Sequence, residues 1–198
     1  MQVDPNKIQN ILTLRYDPSQ NSSLYPITAK NFSSKINDYS INKIEKIIEN
    51  YILEKFQNSN TGERVNTIYW IEGQYVQEAL DEINYFMRDW RQNKVIRIDT
   101  ANLDIISATQ TLLDTEEPFE LLSGYRTIKT NKMLARVTAG VARNSYHIKG
   151  MAADLRMRSR TVNQIGKAAE SCNLGGIGRY VSSSFVHIDC GPKRRWRQ

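Results

Sequence analysis

The apolar residues of this chain change rhythm partway along it, and any fold must accommodate both patterns. Before Pro118 they recur at three- and four-residue steps; beyond it they fall into short runs punctuated by glycine. Val76, Leu80, Ile83, Met87 and Trp90 mark one face of a helix expected over 75–92. A second helix is expected after Thr100, carrying Leu103, Ile106 and Leu113 inward. The runs 119–125, 151–157, 175–181 and 185–190 read as strands, and a helix over 161–171 separates the second from the third. This pattern predicts an α+β protein with a small antiparallel sheet flanked by helices.

The first 58 residues read differently, being rich in Asn, Ser, Ile and Lys. Ile41, Ile44, Ile48, Ile52 and Phe56 predict an amphipathic helix there, capped by Ser40. Residues 57–64 are polar and read as a linker, so an N-terminal helical extension over 1–58 is expected to precede one domain over 59–198. A chain of 198 residues can bury one sizeable core but not comfortably two.

Composition narrows the class. Hydrophobic residues at 40% and charged residues at 24% are the balance of an ordinary globular chain. No apolar run approaches the roughly 18 residues that a membrane-spanning helix needs. The net charge of +6 favours polyanionic partners. Part of that excess lies in Lys193, Arg194, Arg195 and Arg197, read here as a solvated basic tail. No zinc-finger cysteine spacing, basic recognition helix or aromatic RNA-binding signature accompanies the charge, so no nucleic-acid partner is expected. Cys172 and Cys190 form no Cys-x-x-Cys pair; one disulfide or two separate thiols both fit.

The chain has only two histidines. The first lies in Ser145-x-His147-x-x-Gly150-x-Ala152-x-Asp154, the second in Phe185-Val186-His187-Ile188-Asp189. On an extended strand Gly150, Ala152 and Asp154 face one way, as do His187 and Asp189, because side chains alternate. Two imidazoles and one carboxylate are the count that a catalytic zinc takes while keeping a position open for water. Spacing alone leaves two readings open, a zinc site and a pair of ordinary structural histidines.

The residues carry a resemblance. Ser123-Gly124-Tyr125-Arg126, Thr130-Asn131, the histidine–aspartate box, Gly175-Gly176-Ile177-Gly178 and Phe-Val-His-x-Asp occur in order, after Thr61-Gly62-Glu63-Arg64, Tyr69-Trp70 and Asn84 to Asp89. Together, over about residues 59–197, they resemble the YcbK-like murein endopeptidases. That family lies in the superfamily of zinc D-Ala-D-Ala carboxypeptidases and hedgehog-type domains. The resemblance implies that His147, Asp154 and His187 hold Zn2+, and that Arg126 meets a substrate carboxylate or the developing oxyanion. It leaves Ser145 as a residue of the site or of a turn, and Tyr180 as a substrate-facing phenol or a rim residue.

It also implies a substrate, peptidoglycan, and a reaction, hydrolysis of amide bonds in stem peptides or their cross-links. One departure stands out: the wider superfamily places an acid three residues before the last histidine, where this chain has Ser184. Asp189 is the nearest substitute as general base, although orienting His187 or shaping a turn would use it equally. Glu117 and Glu120 are weaker candidates. A wall substrate implies the periplasm or cell envelope, with a leader or another route of delivery, although Met1 to Asn21 shows no apolar signal region. The alternative is a wall-binding domain of the same fold that holds zinc without hydrolysis.

Overall fold

The computed structural model describes residues 51–138 and 141–198. The described residues form one eight-stranded sheet with four α-helices. The strands are β1 (Tyr51–Asn58), β2 (Arg64–Ile71), β3 (Gln74–Tyr75), β4 (Phe119–Ser123), β5 (Ala152–Arg156), β6 (Gly176–Tyr180), β7 (Phe185–Asp189) and β8 (Arg194–Arg197). The helices are α1 (Gln77–Phe86), α2 (Thr100–Leu112), α3 (Ile128–Val137) and α4 (Val162–Ser171), with a short 3-10 helix at Tyr146–Lys149. The strand order is β3-β2-β1-β4-β5-β7-β6-β8.

The α+β class holds, but the sheet is larger than expected and mixed. β1 runs parallel to β4, and β6 runs parallel to β8. The β1 pairing also corrects the N-terminal reading, because residues 51–58 lie inside the sheet between β2 and β4 rather than on a helix. The cause is an ambiguity of spacing: Ile52 and Phe56 stand four apart, which places two residues on one face of a helix and of a strand alike. Here Ile52, Glu54, Phe56 and Asn58 are buried in alternation, the period of a strand. The rest of the expected extension helix, with Ser40, Ile41, Ile44 and Ile48, lies outside the described residues.

The central strands separate core from site by the same alternation. Ala153 and Leu155 on β5, Val186 and Ile188 on β7 and Ile177 on β6 join the hydrophobic core. Each fully buried large aliphatic side chain there stabilises the fold by roughly 1.5–3 kcal/mol. Helices α2 and α4 pack against each other and over β7. Asp154 and His187 occupy the opposite face of β5 and β7, directly paired across the ladder.

The helix ends follow local chemistry. The Asp99 carboxylate accepts from the Ala101 N–H at the start of α2, and Thr161 with Gln164 forms a reciprocal capping box at α4. Helix α1 stops at Phe86, shorter than the periodicity predicts. Past it the buried Asp89 turns the chain back through a bridge to Lys94, which leaves Trp90 at the surface, 37% exposed. Helix α3 was not anticipated. Its apolar residues Ile128, Met133 and Val137 are exposed, so no inward stripe announces it.

The basic tail is also corrected. Residues 194–197 form β8 against β6, and Trp196 lies over Gly178. A Cβ at Gly178 would stand 2.3 Å from the Trp196 ring, so only glycine admits this packing.

Candidate metal centre and cleft

Gly150 ends the 3-10 helix with φ of 71°, a left-handed conformation that returns the chain into β5. It is therefore a turn residue and not, as the strand reading had it, the first residue on the face shared by Ala152 and Asp154. The bend carries His147 back over Asp154. His187, from β7, completes the group, and one donor atom from each of the three falls within 4.8 Å of the others. All three residues are buried.

The far edge of each imidazole fixes what its near edge offers. Nδ1 of His147 lies 2.7 Å from the Gly124 carbonyl, which can only accept, so this nitrogen carries the hydrogen and Nε2 presents a lone pair. Nε2 of His187 lies 2.8 Å from Oδ2 of Asp189, so Nδ1 faces the site. The inward atoms are close: His147 Nε2 to His187 Nδ1 is 3.2 Å, and the distances to Asp154 Oδ1 are 3.2 and 2.9 Å. Tetrahedral ligands at about 2.0–2.2 Å from one ion stand roughly 3.3–3.6 Å apart. The donor set thus fits a small divalent cation with little movement.

The electrostatics agree. Burial opposes charge on all three groups. On Asp154 the adjoining His147 and His187 imidazoles and the Arg126 guanidinium outweigh it and hold the carboxyl well below its ordinary range. On His147 burial wins and lowers the pKa, keeping the ring neutral as a ligand must be. On His187 the hydrogen bonds to Asp154 and Asp189 win, and its pKa is raised. A field that favours a proton at that position favours a metal ion in its place.

Asp189 is fully buried and saturated. Its Oδ1 accepts from the backbone N–H groups of Gly176 and Gly191 at 3.2 and 2.8 Å, and from Arg194 Nη1 at 3.1 Å. Its Oδ2 takes His187 Nε2 and Arg194 Nη2, the latter at 2.6 Å. The Arg194 guanidinium is itself flanked by the Tyr146 and Trp196 rings. Asp189 faces the outer edge of His187, whereas Asp154 faces the inner one.

A cleft of about 1020 Å³ opens over the group, and Asp154 is the only acidic side chain among its described lining residues. Arg126 reaches into it from the loop after β4, donating to Ser123 Oγ at 2.7 Å and pairing with Asp154 Oδ2. Ser145 lines the cleft, and its hydroxyl accepts from the His147 N–H at 3.3 Å as the cap of the 3-10 helix. Tyr180 lies at the rim, stacked on Phe185 at 4.4 Å, with its hydroxyl accepting from Trp196 Nε1 at 3.1 Å. Ser184 is exposed and lies outside the lining, as do Glu117 and Glu120. Glu120 is held by Arg156 and Arg158, and Glu117 accepts from the N–H groups of Arg158 and Ser159. Cys172 and Cys190 are free thiols, pushed up by burial to about 11 and about 12.

Sequence reasoning missed Arg194, Trp196 and the Gly124 carbonyl. The alternation of Arg194 and Trp196 in the terminal run was the one signal for the first two; a backbone carbonyl leaves none.

Two buried imidazoles and a carboxylate, brought together from a 3-10 turn and two adjoining strands under a basic cleft, define the site of a metallohydrolase. Comparison with known proteins makes this more specific. The family model described as peptidoglycan L,D-endopeptidase MepK, of the M15 peptidases, matches residues 46–196. The peptidoglycan L,D-endopeptidase MepK of Escherichia coli K12 is 44% identical over 139 residues, covering 70% of this chain and 76% of that protein. The probable peptidoglycan L,D-endopeptidase MepK of Haemophilus influenzae is 38% identical over 143 residues, covering 72% and 77%. The chain belongs to this M15 family of peptidoglycan endopeptidases, and is a metallopeptidase acting on murein. The alternative of a wall-binding domain without hydrolysis is set aside. No described helix is long and apolar enough to cross a membrane.

Proposed function

We propose that this chain is a zinc-dependent endopeptidase that hydrolyses an L,D amide bond in peptidoglycan stem-peptide cross-links, in the periplasm or elsewhere in the cell envelope. The observation that carries the reading is the convergence of three inward-facing donor atoms, 2.9–3.2 Å apart, at the floor of a basic cleft. His147 through Nε2, His187 through Nδ1 and Asp154 are the proposed ligands. Zinc, when bound, supplies the Lewis acidity that amide hydrolysis at neutral pH requires.

The protein's own residues divide the remaining work. Arg126 presents a planar, permanently charged fork beside Asp154, suited to a substrate carboxylate or to negative charge developing on the scissile carbonyl oxygen. Ser145 holds the 3-10 turn that carries His147, and Tyr180 shapes the rim where a stem peptide enters. Asp189, anchored by Arg194, is assigned to orienting His187 rather than to accepting a proton, because its carboxylate is occupied by five donors and does not line the cleft. The peptidase domain is proposed to include β1, with the preceding residues as the extension.

Metal analysis of the purified chain, with release of soluble muropeptides from cross-linked sacculi, tests the reading. About one zinc per chain and zinc-dependent release are expected. A chain that binds zinc stoichiometrically yet leaves cross-links intact would overturn it.

A further inference from the structure

Four arginines line the cleft: Arg91, Arg126, Arg194 and Arg195. Three are committed within the protein. Arg126 pairs with Asp154, Arg194 with Asp189, and Arg195 donates to the carbonyl oxygens of Gly175 and Arg194. The Arg91 guanidinium makes no ion pair or side-chain hydrogen bond among the described residues; it lies over the Trp90 ring, 4.2 Å from its centroid.

Its place is fixed by buried structure. Asp89, 1% exposed, accepts at Oδ1 from the N–H groups of Arg91 and Gln92, at 3.1 and 3.3 Å. Its Oδ2 accepts from the N–H and hydroxyl of Thr127, at 2.9 and 2.8 Å. One carboxylate thus ties the turn carrying Arg91 to the residue that follows Arg126. Partial desolvation, together with the like charge of Arg126, sets the Arg91 pKa below its ordinary value, the Asp89 charge opposing. Both guanidiniums line the cleft, and Arg91 has no carboxylate paired with it among the described residues.

We infer that Arg91 is a binding residue for a free carboxylate of the peptide substrate, flanking the amide bond placed over His147, Asp154 and His187. Arginine offers paired donors that match a carboxylate. Trp90 holds the guanidinium plane, and the turn pinned by Asp89 sets its distance from the metal ligands. A permanently charged fork that lines the cleft without a carboxylate of its own favours an anionic ligand over a neutral amide. The inference rests on the proposed hydrolytic reading for the identity of the peptide, and extends it to what selects that peptide.

The test uses the full zinc-loaded chain and two uncross-linked stem peptides, identical except that the side-chain carboxylate beside the cross-linking position is free in one and a primary amide in the other. Calorimetric binding is compared for wild type and Arg91→Gln. Arg91→Gln is expected to weaken the carboxylate peptide by roughly 10- to 100-fold and to leave the amide peptide unchanged, with zinc content intact. Arg91→Lys, which keeps charge without the fork, is expected to fall between. Equal loss on both peptides would assign Arg91 to packing of its turn, and unchanged binding of both would place the carboxylate elsewhere; either overturns the proposal. Hydrolysis of the corresponding cross-linked dimer is scored separately. A wild-type chain that binds but never cleaves would sink the hydrolytic reading, while the binding comparison still decides Arg91.

Discussion

Asp189 Oδ2 stands 2.8 Å from Nε2 of His187, two residues away on the same strand, and holds the imidazole from behind while its Nδ1 faces Asp154. Partners of this kind fix the tautomer and raise the basicity of a metal-binding imidazole. Asp189→Asn is therefore expected to weaken zinc affinity by roughly 10- to 100-fold, with activity recovering at saturating zinc. Arg194→Met should act in the same direction by leaving the buried carboxylate short of its guanidinium. Competition with a chromogenic chelator measures both. Unchanged zinc affinity with kcat lowered roughly 10²- to 10⁴-fold would instead make Asp189 the proton acceptor.

His147→Ala and His187→Ala each remove one of three donors and are expected to abolish stoichiometric zinc. A strong chelator should inactivate the wild-type chain, and added zinc should restore it. Full zinc occupancy in both variants, by elemental analysis, would move the site elsewhere.

Arg126 touches the cleft and the proposed metal ligand Asp154 together. Arg126→Gln is expected to lower kcat/KM for cross-linked muropeptide by roughly 10²- to 10³-fold, the loss typical of one preorganised donor to a developing oxyanion. Zinc should be retained, because the three ligands remain. A variant with normal kcat/KM would reduce Arg126 to a structural ion pair.

Glu54 lies fully buried on β1. Burial raises its pKa well above the ordinary carboxylate value; Ser107 opposes this and the charge of Asp104 adds to it. A carboxyl whose folded pKa exceeds its unfolded one, about 4.3, contributes stability that is complete below the unfolded value. That contribution is lost as pH rises through the folded value. Glu54→Gln, neutral throughout, should match wild type near pH 4 and exceed it at pH 7–8, with Tm higher by on the order of 3 °C. Thermal melts at the two pH values decide it; a lower Tm at pH 8 would mean that the ionised carboxylate has a partner it needs.

Much of the centre was legible before any fold was known. Short alternating runs marked β4 to β7, and the only two histidines of the chain sat on or beside them. The helix over 161–171 was legible because Thr161 and Gln164 cap it locally and Ile165, Ala168 and Ala169 face inward. Helix α3 was not, because its buried residues are the polar Thr130 and Asn131.

The residue types of the centre and the local periods that bring them to one face can be read along the chain, since alternation and capping act over two to four residues. What lies behind those residues depends on contacts between distant segments. β1 became a strand because Phe56 pairs beside Phe119, 63 positions on, and the terminal arginines became a strand because β6 offered an open edge. The tautomers of both histidines rest on Gly124 and Asp189, and the buried carboxylate of Asp189 is paired in turn with Arg194. Hydrogen bonds of this kind pay back the desolvation of buried charge only when chain segments far apart in sequence meet in the fold.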